Sequence, residues 1–482
     1  MQASRRQVIS RGWALLAAAA IAPIATACGG SAPAPTSAPA GAQGAAPKPV
    51  ETKPAADAGA QSAAAKPPVD KPAAAGSTPA AASAPAKAAS GAEIIYLNQS
   101  RGQLKAMTTL AEKYTAEKGV KITIDSPGPV DYPKKLQAAS QAGNMPDTYY
   151  AIGAADMAPY YKAGWALNLK PELDKGWNKN FASGLLDFVE FKDGNPAGIP
   201  PGIYSAAWEA VTYGTLYNPA LLEKAGLDPK KAPETTTELL DMAKALKAKN
   251  IGPIVVPNTN IQWFTESLAS NWLKDEEIDA ARGGKGSYKA DAWKNALQYF
   301  VDLRDADVIF NKTLNQPTPE LEKSFFNVQE IGLFWTGVFS IPVQVTTAPD
   351  FTAYSAFPLP KMPNGTTAPR TYGGTGKNGV VNAKGPKVDE SLKYVKWLTE
   401  KEQEVTFMEM VPLVPTNPAA LDPAKISPQL ATFAGLIDKV YKVTTPMKGP
   451  IVEAFMKGVQ GMLLKEKTVD QVLDDLDKAQ KE

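Results

Sequence analysis

From Glu93 onward, short apolar runs alternate with longer stretches in which apolar residues recur every three or four positions. The run Glu93–Leu97 has the length of a buried strand, and 103–118 carries Leu104, Met107, Leu110, Ala111 and Tyr114 at helical spacing. Residues 120–124 return as a strand, so the folded part opens as a βαβ unit, whose parallel sheet needs helices on both faces. Thr235, with Glu238 three residues on, is a capping box. It starts a predicted helix through Leu239, Leu240, Ala243 and Leu246 that ends at Asn250, and 254–256 follows as a strand. The spacing predicts further helices over Asp291–Asp305, 389–398, 451–464 and 468–479, with a buried strand over 331–334. The fold class is α/β.

Ahead of Glu93 the pattern changes. Arg5, Arg6 and Arg11 flank the start of an apolar run from Trp13 to Ala22, and small residues follow, ending in Ala25-Thr26-Ala27-Cys28. Charge, apolar run and small residues in that order make a secretory signal, and the run is too short to span a bilayer. Cys28, the only cysteine of 482 residues, stands where a bacterial lipobox places its lipidated thiol. Residues 1–27 therefore read as a signal peptide and Cys28 as the lipid attachment point. Ser4-Arg5-Arg6-Gln7-Val8-Ile9-Ser10 resembles the twin-arginine export pattern, an ordinary secretory signal being the alternative. From Ser31 to Ser90 the chain holds 24 Ala and 11 Pro, with Val50 and Val69 as its larger aliphatics. Such a composition cannot bury enough apolar area to offset its ordering entropy. Residues 28–90 thus read as a disordered, partly polyproline-II tether, spanning about 45 Å as a flexible coil. The expected location is the outer face of a bacterial cytoplasmic membrane or a periplasm, with the lipid as the only membrane attachment.

Residues 91–482 exceed what one hydrophobic core usually holds, so two lobes are expected. Their chemistry is bounded by what is missing. Lys and Arg number 51 against 49 Asp and Glu, which gives no footprint for nucleic acid. There is no histidine, which excludes Ser-His-Asp and Cys-His catalysis and leaves no imidazole for zinc or iron. Gly376-Lys377 is followed by Asn378 and Lys285 by Gly286, so neither lysine belongs to a phosphate loop. No cofactor or metal is implied. A histidine-free glycosidase with paired carboxylates stays open as an alternative, although no spacing singles out a pair.

The order of local motifs is more telling. Met145-Pro146-Asp147 leads to Tyr149-Tyr150 and then Tyr161-Lys162-Ala163-Gly164. Gly198-Ile199-Pro200, Leu216-Tyr217-Asn218-Pro219 and Leu222-Glu223-Lys224-Ala225-Gly226-Leu227-Asp228 follow, then Gly332-Leu333-Phe334-Trp335-Thr336-Gly337. Gly373-Gly374-Thr375-Gly376, Ala383 to Pro386, Ser391 to Thr399 and Pro412-Leu413-Val414-Pro415 complete the series. Taken together this order resembles extracellular solute-binding proteins, in the carbohydrate branch similar to maltodextrin- and oligosaccharide-binding receptors of ABC importers. The likeness runs over nearly all of 93–482. Two departures bear on the ligand: the connection from Pro200 to Tyr217 is longer than usual, and Thr235-Thr236-Thr237 stands where a Trp is common.

The resemblance implies a two-lobe periplasmic-binding-protein-like fold, with 91–208 and 373–415 in lobe 1 and 209–372 and 416–482 in lobe 2. The crossovers are expected near 209–216, 370–373 and 412–418. It also implies a monomeric, non-enzymatic receptor whose closure on a small molecule is read by ABC permease subunits. Sugars present apolar C–H faces and a rim of hydroxyls, so their sites want aromatic platforms beside carboxylates, amides and backbone N–H groups. On that basis the candidates are Asn98, Gln99 and Arg101 after the first strand, Tyr150 after the Pro146-Asp147 turn, Trp208 and Glu209 at the first crossover, and Asn258 and Trp263 after the strand at Ile254. Trp335 and Phe339 flank the aromatic turn, and Tyr372, Gly373, Gly374 and Thr375 offer backbone donors. Core packing accounts equally for any one of the aromatics, and a solvated surface charge for Arg101 and Glu209. A non-sugar polar solute, or a structural lipoprotein without a ligand, are the other readings.

Overall fold

The computed structural model describes residues 92–482 except 100, 101, 129, 130, 152, 153, 196, 423 and 444. The signal segment, Cys28, the 28–90 tether and Arg101 lie outside the described residues.

Two five-stranded sheets organise the chain. The first has the order Lys121–Asp125, Glu93–Leu97, Thr148–Tyr149, Asn378–Val381, Ala206–Ala207. Its first three strands are parallel, with Glu93 opposite Lys121 and Tyr96 opposite Thr148, as the βαβ opening requires. The returning strand Asn378–Val381 is antiparallel to both neighbours. The second sheet has the order Ser355–Phe357, Ala210–Tyr217, Ile331–Gly337, Gly252–Val255, with Gly373–Thr375 also paired to Ala210–Tyr217. Here only Gly252–Val255 and Ile331–Gly337 run parallel. The sheets are therefore mixed, where local periodicity pointed to a parallel one. Strand Ala210–Tyr217 enters its sheet directly from strand Ala206–Ala207 of the first sheet, not through a local crossover helix, and antiparallel pairing needs no such helix.

Element positions follow the local signals closely. The helix Asp291–Asp305 has the bounds its periodicity predicts. Thr235 caps helix Thr236–Ala248 with both hydrogen bonds of the capping box, and Thr468 with Gln471 does the same for Val469–Ala479. In helix Leu104–Lys118 the buried face is Ala106, Met107, Leu110, Ala111 and Tyr114. Leu104, expected on that face, is exposed, because as the first helical residue it has no preceding turn to pack upon. One core gathers Leu239, Leu246, Ile254, Phe264, Leu297, Leu333 and Leu476; another gathers Ile94, Tyr96, Leu110, Tyr114, Tyr394 and Trp208.

Three connections between the sheets run side by side. Trp208 and Glu209 link Ala206–Ala207 to Ala210–Tyr217, and Gly376 and Lys377 link Gly373–Thr375 to Asn378–Val381. Backbone hydrogen bonds lace the two together: Trp208 N donates to Lys377 O at 3.0 Å and Gly376 N to Glu209 O at 2.7 Å. Val414 supplies the third, its carbonyl accepting from Ala210 N at 2.8 Å. Among the described residues, no helix is long and apolar enough to cross a membrane.

Candidate ligand-binding cleft

Two cavities adjoin these crossovers. One, about 330 Å³, is lined by Gln99, Gln103, Tyr150, Glu209, Phe339 and Lys377. The other, about 280 Å³, is lined by Gln262, Arg282, Tyr372, Gly373, Gly374 and Thr375. Trp263 lines both. Its indole stacks on the Tyr372 ring with centroids 4.6 Å apart and planes 3° from parallel. Tyr213 stands behind this pair, 5.5 Å from Trp263, 5.4 Å from Tyr372 and 5.6 Å from Phe339.

A buried ion pair supports the stack. Arg282 Nε and Nη2 donate to the two carboxylate oxygens of Glu266 at 2.7 and 2.6 Å, and Tyr441 Oη donates to Glu266 Oε2 at 2.7 Å. This fork-to-fork geometry fixes the guanidinium plane, whose Cζ lies 5.4 Å from the Tyr372 ring. Burial pushes the Tyr441 hydroxyl well above its ordinary range, with the Glu266 charge adding to the effect.

The other cavity holds a second charge pair. Glu209 is buried, accepts from Gln103 Nε2 at 3.2 Å, and is pushed up to about 7 by burial, against the opposing charge of Lys377. The Lys377 ammonium donates to the Gln99 carbonyl and lies 4.0 Å from the centroid of the Tyr150 ring. Three buried amides line the cleft with one end unused among the described residues: Gln103 Oε1, Asn260 Nδ2 and Gln262 Oε1. The Gln262 amide is oriented by donation from Nε2 to the Thr259 carbonyl at 3.0 Å, and Gln103 by its bond to Glu209.

Nine of the sequence candidates meet around the cleft: Gln99, Tyr150, Glu209, Trp263, Phe339, Tyr372, Gly373, Gly374 and Thr375. Asn98 is fully buried and lines neither cavity, and Asn258 lines neither although Thr259 and Asn260 do. Trp208 and Trp335 are core residues, 1 % and 0 % exposed. Trp208 packs edge-on against Tyr96 at 6.3 Å, and Trp335 against Phe264 at 5.0 Å. At the bend between the two strands Glu209 lines the cleft while its neighbour Trp208 packs into the core. Gln103, Asn260, Gln262, Arg282 and Lys377 escaped the sequence reading. Only Lys377 carried a signal, its place directly after the run Gly373-Gly374-Thr375-Gly376.

The family profile of bacterial extracellular solute-binding proteins matches residues 98–405. The chain belongs to this family. No curated protein sequence matches this solute-binding protein. Solved structures do. A protein of Caldanaerobius polysaccharolyticus studied for xylan utilization is 20% identical, covering 80% of this chain and 99% of its own, with a TM-score of 0.68. An ABC transporter solute-binding protein of Thermotoga lettingae, bound with α-D-tagatose, is 20% identical over 81% of this chain and 100% of its own, TM-score 0.67. The GacH receptor of Streptomyces glaucescens, solved unliganded and with acarbose, is 17% identical over 80% and 97%, TM-score 0.66. These likenesses establish the fold, that of a two-lobe solute-binding protein.

Proposed function

We propose that this solute-binding protein captures an uncharged saccharide between its lobes and delivers it to the permease of an ABC importer. The observation that carries this reading is the Trp263–Tyr372 stack set in a cleft where Arg282 is paired with Glu266 and where Lys377 faces an opposite charge once Glu209 ionises near neutral pH. Aromatic faces suit sugar C–H surfaces, and a site without a spare charge suits hydroxyls better than phosphate or carboxylate. Structural relatives support the class: one is bound with tagatose, one with acarbose and another with stachyose.

In this reading the lobes are 91–208 with 373–415 and 209–372 with 416–482, and ligand bridging them favours the closed state. The protein is exported, held by a lipid on Cys28 and the 28–90 tether, and acts as a monomer that binds without turnover. The test is thermal unfolding of the full chain against mono- and oligosaccharides, polyols and anions. A ligand bound only by the native state raises the melting temperature. A rise with one saccharide series, recovered unchanged, supports the proposal; a rise with anions alone refutes it.

A further inference from the structure

Thr416 and Asn417 close the third crossover against the first lobe. Thr416 Oγ1 lies 2.8 Å from the carbonyl oxygen of Ala207 and 2.7 Å from Glu404 Oε1, and Asn417 N donates to Glu404 Oε2 at 2.8 Å. Glu404 belongs to the helix Lys401–Met410 and is 1 % exposed; Thr416 is fully buried.

A hydroxyl has one hydrogen. The Ala207 carbonyl can only accept, so it takes the hydrogen of Thr416. An ionised Glu404 would then leave two acceptor oxygens facing each other at 2.7 Å with no hydrogen between them. A protonated Oε1 supplies that hydrogen, so donation runs from Glu404 to Thr416 to Ala207, while Oε2 stays free to accept from Asn417. We infer that Glu404 is a neutral carboxylic acid in the folded protein and the positioning residue that ties two interlobe crossovers, at Ala207 and at Thr416 and Asn417, to one helix of the first lobe.

The surroundings agree. Burial pushes this carboxyl up to about 8, opposed only by hydrogen bonds from Thr416 and Asn417. No charged side chain of the packed helices Leu104–Lys118 and Val388–Leu398 enters that balance among the described residues. The polar groups nearby are neutral: Asn417 Nδ2 donates to the Thr399 carbonyl at 3.3 Å, and Trp177 Nε1 to the Thr399 hydroxyl at 2.8 Å.

The test is thermal unfolding of the full chain across pH, for wild type, Glu404→Gln and Glu404→Ala. A glutamine reproduces the protonated acid, with its NH₂ donating to Thr416 and its oxygen accepting from Asn417. Wild type loses stability as pH rises from the ordinary carboxylate range toward about 8, because the unfolded chain ionises while the folded one keeps its proton. Glu404→Gln lacks this contribution, while the raised carboxyl of Glu209 contributes equally to both proteins and drops out of the difference. The melting temperature of Glu404→Gln minus that of wild type is therefore expected to grow steadily from about pH 5 to about pH 8. Glu404→Ala melts below Glu404→Gln throughout. A difference independent of pH, or one that shrinks as pH rises, overturns the inference. Should Glu404→Gln not fold, infrared spectra of Glu209→Gln at neutral pH decide. A protonated-carboxyl band that disappears at higher pH supports the inference, and its absence refutes it.

Discussion

Trp263 and Tyr372 lie face to face, 4.6 Å between centroids and 3° between planes, with Trp263 lining both cavities of the cleft and Tyr372 one of them. Trp263 comes from helix Ile261–Ala269 and Tyr372 from the segment leading into strand Gly373–Thr375, so the stack ties that helix to the second crossover. Trp263→Ala is expected to weaken saccharide binding about tenfold or more, roughly 1.4 kcal/mol, in titration calorimetry. Trp208→Phe, in the core, lowers the melting temperature and leaves the affinity within about twofold.

Arg282 and Glu266 are worth more to each other than to the fold. Arg282→Met strands a buried carboxylate and is expected to cost about 3–5 kcal/mol in urea unfolding. Adding Glu266→Gln restores most of that loss, since a neutral amide can still accept from Tyr441. A double variant no more stable than Arg282→Met contradicts this.

Glu209 should make binding pH-dependent. Its carboxyl is raised to about 7, so the protonated form is favoured in the folded state, and stability falls as pH rises from the ordinary carboxylate range to about 7. Above that point an ionised group faces the cavity beside Lys377. The dissociation constant for a saccharide is expected to inflect near neutral pH, and Glu209→Gln to flatten the profile. An inflection that survives Glu209→Gln assigns it to another group.

Gly373 has no room for a side chain. A Cβ there would collide with the Val211 carbonyl and the Val440 side chain, and the carbonyl, being backbone, cannot swing away. Gly373→Ala is expected to cost about 1–3 kcal/mol by separating Gly373–Thr375 from strand Ala210–Tyr217. Chemical denaturation checks it, with an unchanged m value marking a pure stability effect.

Much of this architecture is legible in the residues, for reasons that differ by element. Asp291–Asp305 and the capping boxes at Thr235 and Thr468 are local: spacing and a side chain three residues away fix them. Ala206–Ala207 and Gly373–Thr375 are two and three residues long, too short to show a period, and exist only through distant partners. The same limit divides the aromatics. Trp208 and Trp263 are alike as residues, and tertiary packing alone sends one to the core and the other to the cleft. Gln103 and Lys377 look like surface residues in the sequence, and burial beside Glu209 is what gives them a role.

The most direct measurement is titration calorimetry of the full chain with the saccharide that most raises its melting temperature, followed by chromatography of the recovered ligand. Saturable binding of the intact saccharide, lost in Trp263→Ala, is the expected result. Cleaved saccharide, or binding that Trp263→Ala leaves unchanged, would contradict a sugar receptor built on the Trp263–Tyr372 stack.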